Sequence, residues 1–283
     1  MQNPLITAQA LQDALASTEP PQLLDCRARL DDAAAGEQLW RDGHLPASRH
    51  LDLDRDLAGA AGQGGRHPLP DPAAFTAVVQ RLGIDPARPV VVYDDRGGQL
   101  AAARAWWMLA VWAGHPDVRV LDGGVEVWQQ QGGEWTAGEK TAHDGIPTPS
   151  DWQPRFDHSA RVDADAVAKG TMLPVDARAA ARFRGDSEPV DPLAGHIPGA
   201  ASRPSADNLT ADGVFKPATT LEAELPDASA VVAYCGSGIT ACHNVLAYAV
   251  AGRELPRLYA GSWSDWISSG ERPVATGNED AGR

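Results

Sequence analysis

Short valine-rich runs alternate with stretches of helical periodicity along this chain. The runs Val90–Tyr93 and Val231–Tyr234 are apolar, which is typical of strands buried on both faces of a parallel sheet. Residues 72–82 carry apolar side chains at helical spacing, and they predict a helix that Asp71 caps and Gly83 ends. Such strand–helix–strand units predict an α/β fold with a mainly parallel sheet and helices on both faces.

The same pattern occurs twice in the chain. Leu23–Arg27 resembles Pro174–Arg178, and Gly43–Pro46 resembles Gly195–Pro198. The valine-rich runs and two tryptophan-containing segments then follow in the same order and at similar spacing. Because ordered matches of this kind indicate a duplicated unit, the sequence predicts two tandem domains.

A polar stretch separates the two copies. It contains Pro147 and Pro149, as is typical of a linker. We therefore predict an N-terminal domain over residues 1–138, a linker over 139–155 and a C-terminal domain over 156–283.

The duplication separates structural residues from functional ones. A residue that both copies share is expected to serve the fold, whereas a residue in one copy alone is a better candidate for function. Buried acid–arginine pairs, turn-fixing imidazoles and tryptophan core anchors are therefore predicted at the shared positions, which are Asp25/Asp176, Arg27/Arg178, His44/His196 and Trp128/Trp266.

The two copies differ directly after the second valine-rich run. The first copy continues with Asp94 and the second with Cys235, which opens the loop Cys235–Thr240 ahead of a predicted helix. Gly236 and Gly238 allow this loop to curl, so that backbone N–H groups can point at one atom. These donors and the helix dipole would stabilise a thiolate and an anionic group bound to its sulfur. The first copy is predicted to be catalytically silent.

Charge and cysteine content indicate which partners and which compartment to expect. The chain has 38 acidic and 24 basic residues, for a formal net charge of −14, so nucleic acid and anionic membranes are poor partners. No secretory signal or membrane-length apolar run is visible, and three cysteines do not make a disulfide framework, so we expect a cytoplasmic protein. Cys26 and Cys242 are predicted to be small core residues.

Two classes of enzyme use a thiolate in a curled loop. Cysteine-dependent phosphatases need the pattern Cys-x5-Arg to clamp the phosphate, and Ala241 occupies the arginine position here. A sulfurtransferase needs the loop only to hold one additional sulfur atom as a persulfide. The sequence therefore favours sulfur transfer over phosphate hydrolysis.

The chain resembles the two-domain rhodanese family over nearly its whole length. The resemblance is carried by the Asp-x-Arg segments, the turn Gly195–Gly199 and the loop Cys235–Thr240. This neutral loop is similar to that of 3-mercaptopyruvate sulfurtransferases, whereas thiosulfate-preferring relatives usually carry basic residues there. The resemblance implies tandem rhodanese-like α/β domains and a Cys235 persulfide that passes sulfur to thioredoxin, a small thiol or cyanide. The chemistry itself needs no cofactor or metal.

The same resemblance implies roles for further residues. Ser237 would donate a hydrogen bond or relay a proton beside the sulfur, in a relay with His67 and Asp54, for which Asp52 is a possible substitute. Arg182 would bind the anionic donor, with Arg184 as a weaker candidate. The remaining loop residues expected at the substrate are Gly236, Gly238, Ile239 and Thr240.

One departure from the family leaves the donor open. Mercaptopyruvate enzymes usually carry a second arginine just after Glu-Pro, but here Glu188–Pro189 is followed by Val190 and Asp191. Half of the expected carboxylate clamp is therefore missing from the sequence. The loss of one charge-assisted hydrogen bond costs about 1.5–3 kcal/mol of binding free energy. Thiosulfate transfer, or a persulfide carrier with little turnover, therefore remain alternatives to 3-mercaptopyruvate sulfur transfer.

Overall fold

The computed structural model describes residues 3–62, 64–138 and 148–278. These residues fall into two units. The first comprises residues 3–59, 70–138, 148–157 and 211–215, and the second comprises residues 60–62, 64–69, 158–210 and 216–278.

The units do not follow the covalent halves of the chain. The segment around residues 60–69 precedes the predicted linker but packs with the second unit, and residues 211–215 pack with the first. Of the predicted linker, residues 148–155 belong to the first unit, and residues 139–147 lie outside the described residues. The segment that contains His67 is therefore part of the same unit as Cys235.

Within the described residues, the first unit is built on a five-stranded sheet of order β1-β5-β4-β2-β3, and every recorded strand pair is parallel. A π-helical segment, Trp107–Trp112, continues directly from α4. The elements are β1 Leu5–Ile6, α1 Ala8–Leu15, β2 Gln22–Asp25, α2 Ala35–Asp42, β3 Arg49–His50, α3 Pro72–Arg81, β4 Val90–Tyr93, α4 Ala101–Trp106, β5 Val118–Leu121 and α5 Gly124–Gln130.

The described part of the second unit has a four-stranded parallel sheet of order β7-β6-β8-β9, which repeats the order of β3, β2, β4 and β5. Its elements are α6 Ala164–Ala168, β6 Leu173–Asp176, α7 Ala180–Arg184, β7 Ala201–Ser202, α8 Ala218–Glu224, β8 Val231–Tyr234, α9 Ala241–Val250, β9 Arg257–Leu258 and α10 Ser262–Trp266, with short 3-10 turns at His158–Ala160, Ser205–Asn208 and Ile267–Ser269. The predicted α/β class and the parallel sheets are confirmed.

Helix α3 shows how local sequence sets an element boundary. The Asp71 side chain accepts hydrogen bonds from the N–H groups of Ala73 and Ala74, both at 2.9 Å, and Pro72 starts the helix. The helix ends at Arg81, and Gly83 follows with a φ of 60°, which glycine adopts without strain. The predicted cap and end of this helix are confirmed.

The strand that precedes each loop is buried on both faces. In β4, Val91 and Tyr93 pack with Leu11 of α1 and Trp128 of α5, while Val92, which points to the opposite face, is 0% exposed. The corresponding cluster of the second unit contains Trp266. Both tryptophans are at most 2% exposed, so the predicted core anchors are confirmed.

The shared acid–arginine pairs lie at the carboxyl ends of β2 and β6. Nη2 of Arg27 is 2.6 Å from Asp25 Oδ2, and Nη2 of Arg178 is 2.6 Å from Asp176 Oδ2, with all four side chains nearly inaccessible. Asp176 is opposite Tyr234 in the register of β6 and β8, so this pair and the residue after Tyr234 occupy the same edge of the sheet. The structural interpretation of both pairs is confirmed.

The shared histidines fix turns, as predicted. Nδ1 of His44 donates to the Trp40 carbonyl oxygen at 2.7 Å, and Nδ1 of His196 donates to that of Phe183 at 2.8 Å. Among the described residues, no helix is both long enough and apolar enough to cross a bilayer.

Replacing Asp25 by alanine is expected to lower the free energy of unfolding by about 3–5 kcal/mol, because the buried Arg27 guanidinium loses its counter-ion. The matched control is Glu37→Ala, which removes the partner of Arg41 from an exposed ion pair and should cost less than about 1 kcal/mol. Urea denaturation of the three proteins measures both changes. Equal losses for the two variants would contradict a structural role for the buried pair.

Candidate active site

The loop Cys235–Thr240 joins β8 to α9 through a corner that requires glycine. Gly238 has a φ of 81°, and a Cβ atom built on it would lie 2.2 Å from the Ala260 carbonyl oxygen. This conformation turns the Gly238 N–H back toward the start of the loop, where it donates to Cys235 Sγ at 3.0 Å. The corner therefore places a backbone hydrogen-bond donor directly at the sulfur atom of the candidate nucleophile.

Backbone contacts on both sides hold Cys235 in place. Its N–H donates to Ser262 Oγ at 3.0 Å, and its carbonyl oxygen accepts from the Trp263 N–H at 2.9 Å. The residue is 2% exposed. Its sulfur atom accepts the Gly238 N–H, so its surroundings are not purely hydrocarbon.

The predicted pair of Ser237 and His67 is brought together. Nδ1 of His67 lies 2.8 Å from Ser237 Oγ, within hydrogen-bonding distance. Ser237 is 6% exposed and His67 is half-buried. An imidazole in contact with a hydroxyl can take up or return its proton, which is the arrangement that general acid–base catalysis needs.

Arg182 lies in a network of carboxylates. Its Nε donates to both carboxylate oxygens of Glu188 at 3.0 Å, and its Nη2 donates to Asp191 Oδ2 at 3.0 Å. Burial would raise the pKa of Glu188, but the hydrogen bonds from Arg182 and from the N–H groups of Asp191 and Val190 hold that pKa below its ordinary value. Glu188 is therefore ionised at neutral pH and orients the guanidinium.

A second arginine, Arg66, enters the same network. Its Nη1 forms an ion pair with Asp191 Oδ1, and its backbone N–H donates to Ser264 Oγ at 3.1 Å. A Cβ atom built on Gly236 would lie 3.0 Å from Arg66 Nη2 and 3.5 Å from Arg182 Nη2. Both guanidinium groups therefore lie beside the residue that follows Cys235.

Asp54 and its possible substitute Asp52 belong to the first unit. Asp54 is exposed in a turn of the first unit, where its N–H donates to Asp52 Oδ1 at 3.0 Å, and its part in a relay remains a prediction. Asp52 lies 3.5 Å from His50 Nε2. Burial would raise the pKa of Asp52, but hydrogen bonds from His50 and from the Arg55 N–H bring it below its ordinary value.

Arg184 and the last two residues of the loop were also expected at the substrate. Arg184 pairs with Asp186 at 2.7 Å, and both side chains are partly or largely exposed. The side chain of Ile239 is buried, and Thr240 is half-buried at the start of α9. Substrate contacts of these two residues are therefore predicted through their backbone.

The first copy has a carboxyl group, that of Asp94, at the position of the cysteine. Asp94 Oδ1 accepts hydrogen bonds from the N–H groups of Arg96 and Gly98 at 2.9 and 2.8 Å, and Oδ2 accepts from those of Leu100 and Ala102 at 3.2 Å. Burial raises the pKa of Asp94, although these N–H groups act in the opposite direction. This loop therefore has the geometry to gather backbone donors around one anionic group, without a nucleophile.

The remaining cysteines are core residues, as predicted. Cys26 and Cys242 are both 0% exposed, and burial raises the pKa of the Cys26 thiol. Cys242 Sγ donates to the Gly238 carbonyl oxygen at 3.4 Å. All three cysteines of the sequence lie in the described ranges and are free.

Sequence reasoning missed Arg66, Asp191 as its partner, and Ser264. Arg66 immediately precedes His67, but a charged residue in a glycine-rich segment carries no signal of its own. One related sign was the presence of Val190 and Asp191 where mercaptopyruvate enzymes usually carry a second arginine, which left the donor open.

The family model described as Rhodanese-like domain matches the chain twice, over residues 7–131 and 160–269. A protein of Pseudomonas aeruginosa named "Probable 3-mercaptopyruvate sulfurtransferase" is 45% identical over 97% of this chain and 98% of its own length. A protein of Mycobacterium tuberculosis named "Putative thiosulfate sulfurtransferase SseB" is 40% identical over 96% of this chain and 97% of its own length.

Solved structures agree with these matches. The 3-mercaptopyruvate sulfurtransferase from Leishmania major superposes with a TM-score of 0.85 at 28% identity, covering 97% of this chain and 77% of that one. The 3-mercaptopyruvate sulfurtransferase SseA from Escherichia coli gives a TM-score of 0.78 at 28% identity, covering 93% of this chain and 100% of that one.

Replacing Gly238 by alanine is expected to lower turnover in sulfur transfer roughly 100- to 1000-fold, the usual cost of losing one preorganised backbone donor. The added Cβ would collide with the Ala260 carbonyl and displace the N–H from Cys235 Sγ. Gly252→Ala is the control, because Gly252 has a φ of 71° but no atom within 4 Å of its Cβ position. Similar turnover in the two variants would contradict a role for this donor.

Proposed function

This chain belongs to the rhodanese-like sulfurtransferases, and we propose that it transfers sulfur from 3-mercaptopyruvate to a thiol acceptor through a persulfide on Cys235. The observation that carries the proposal is the contact of Cys235 Sγ with the Gly238 N–H, beside the hydrogen-bonded Ser237 and His67. A stabilised thiolate and an acid–base pair at one loop are the two components that this reaction requires.

In the first half-reaction, the Cys235 thiolate attacks the sulfur atom of the donor. A bond forms between the two sulfur atoms, and the bond between sulfur and carbon 3 of the donor breaks. The electron pair of the broken bond remains on carbon as the enolate of pyruvate, which then takes up the proton that the donor thiol has lost. The products are pyruvate and a Cys235 persulfide anion, so atoms and charge balance.

Ser237 and His67 are proposed to move that proton. Their atoms Oγ and Nδ1 are 2.8 Å apart, so the hydroxyl can take the proton of the donor thiol while it passes its own proton to Nδ1 of the imidazole. The imidazolium then returns a proton through the hydroxyl to carbon 3. Asp54, or Asp52 in its place, is proposed to orient the imidazole, as the resemblance to the mercaptopyruvate branch implies.

The donor is proposed on the chemistry of the loop. Residues Gly236–Gly238 carry no charge, so cationic recognition comes from arginines beside the loop. The relatives carry both donor names, since one is named for 3-mercaptopyruvate and another for thiosulfate. A proton relay distinguishes the two donors chemically, because the departing enolate needs a proton whereas sulfite leaves as an anion.

The second half-reaction is proposed to use an external nucleophile. A thiolate of thioredoxin or of a small thiol, or cyanide, attacks the outer sulfur of the persulfide, forms a bond to it and releases the Cys235 thiolate. The Gly238 N–H supports this departure, because it stabilises the leaving anion as it stabilised the attacking one.

The experiment that tests the proposal combines a donor comparison with Cys235→Ser. Wild-type kcat/KM is expected to be higher for 3-mercaptopyruvate than for thiosulfate, and the serine variant should be inactive with both while it unfolds at the same temperature as the wild type. Cys242→Ser is the control and should keep activity, because Cys242 is a buried core residue.

Three results would contradict parts of this proposal. Activity that survives in Cys235→Ser would mean that another thiol carries the sulfur. A large preference for thiosulfate would overturn the donor. Mass spectrometry that detects a stable gain of one sulfur atom without turnover would favour a persulfide carrier instead.

His67→Gln is expected to lower kcat with 3-mercaptopyruvate roughly 100- to 10,000-fold, the usual contribution of general acid–base catalysis. The fall with thiosulfate should be much smaller, because sulfite needs no proton on carbon. Steady-state kinetics with both donors measures the difference, and the exposed His158→Gln variant is the control. Equal falls with the two donors would mean that His67 does not serve the enolate.

A further inference from the structure

We propose that Arg66 is the second carboxylate-binding arginine of the donor site, and that Asp191 is the positioning residue that holds Arg66 and Arg182 at the cysteine loop. This inference rests on the proposed function, and it supplies the cation that the sequence lacks after Glu188–Pro189.

The first argument is the position of the two guanidinium groups. Nη2 of Arg66 lies 3.0 Å from the place where a Cβ of Gly236 would be, and Nη2 and Nη1 of Arg182 lie 3.5 and 3.6 Å from it. The hydrogen bonds to Asp191 come from Nη1 of Arg66 and from Nη2 of Arg182. Nη2 of Arg66 and Nη1 of Arg182 therefore lie beside the residue that follows Cys235 and are not the nitrogens that bind Asp191.

The second argument is the way in which a single carboxylate holds both cations. Oδ1 of Asp191 pairs with Arg66 and Oδ2 pairs with Arg182, and the Asp191 side chain is 1% exposed. A buried carboxylate between two guanidinium groups offsets their mutual repulsion and sets their separation. Val190 and Asp191 occupy the positions at which the second arginine was expected. Here Asp191 provides the carboxylate that holds Arg66, and Arg66 provides the positive charge.

The third argument concerns which charge a donor meets. The side chains of Arg66 and Arg182 are 34% and 20% exposed, whereas those of Asp191 and Glu188 are 1% and 4% exposed. The carboxylates therefore lie behind the guanidinium groups. An anionic donor that approaches the loop meets N–H donors before it meets the carboxylates, and two guanidinium groups are suited to bind a carboxylate at both of its oxygens.

The backbone also ties Arg66 to the cysteine loop. Gly65 has a φ of 96°, and its Cβ position would be 2.5 Å from the Gly261 carbonyl oxygen, so this close approach requires glycine. The Arg66 N–H donates to Ser264 Oγ, and the Ser264 N–H donates to the Gly236 carbonyl oxygen at 3.0 Å. Arg66 and His67 are thus adjacent residues of one anchored segment, one for charge and the other for the proton.

The test is steady-state kinetics of Arg66→Gln with 3-mercaptopyruvate. KM is expected to rise roughly 10- to 150-fold, the effect of losing one charge-assisted hydrogen bond, with a much smaller change in kcat. The inhibition constant of pyruvate, the carboxylate product, should rise by a similar factor. Arg66→Lys should recover part of the loss, because lysine keeps the charge but not the fork of donors.

Arg41→Gln is the matched control and should leave KM unchanged, because Arg41 forms an exposed ion pair with Glu37 on α2. An unchanged KM and pyruvate inhibition constant in Arg66→Gln would overturn the inference. So would a fall in kcat at constant KM, because Arg66 would then act only through the placement of His67.

A separate measurement distinguishes this inference from the proposed function. Calorimetric titration of pyruvate into wild-type, Arg66→Gln and Arg41→Gln proteins reports carboxylate binding without turnover. If the wild type prefers thiosulfate, the proposed donor is wrong, yet weaker pyruvate binding by Arg66→Gln alone still supports the role of Arg66. Equal binding by all three proteins would overturn that role, whichever donor is used.

Discussion

The carbonyl oxygen of Ala260 lies so close to Gly238 that any side chain at that position would collide with it at 2.2 Å. This approach forces the loop after β8 into a left-handed turn, and the turn directs an N–H group onto Cys235 Sγ at 3.0 Å. The same loop brings Gly236 beside two guanidinium groups and Ser237 within hydrogen-bonding distance of His67, so the proposed donor binding and proton transfer would both depend on this turn.

The first unit contains the corresponding loop without a nucleophilic cysteine. In the first unit the carboxylate of Asp94 accepts hydrogen bonds from successive backbone N–H groups of its loop, which is how the second loop would hold an anionic outer sulfur. Both loops therefore direct backbone N–H groups at their first side chain. In the proposed mechanism the second loop adds a thiol at this position, with the guanidinium groups of Arg66 and Arg182 beside the next residue.

The sequence predicted those features that depend on neighbours in the chain. The capped helix after Asp71, the Asp176–Arg178 pair and the glycine corner are all set by residues within a few positions of one another. The ion pair of Arg66 with Asp191 joins residues that are 125 positions apart, and nothing in either segment specifies the other. His67 was predicted through family resemblance alone for the same reason. Tertiary packing, which places the segment around residues 60–69 in the second unit, decides which loop serves the cysteine.

For an acidic protein to bind an anionic donor, the arrangement of charged side chains within the site matters more than the net charge of the chain. The chain has a formal net charge of −14, and the site itself pairs its arginines with carboxylates, so a surplus of positive charge cannot attract the donor. The groups differ instead in solvent exposure, because Asp191 and Glu188 are almost inaccessible while the guanidinium groups are partly exposed. Interactions between charges weaken with distance and with solvent screening, so the nearest groups dominate the binding of a small anion. In the proposed donor site, the carboxylates behind the arginines would therefore fix the geometry and leave the outer face cationic.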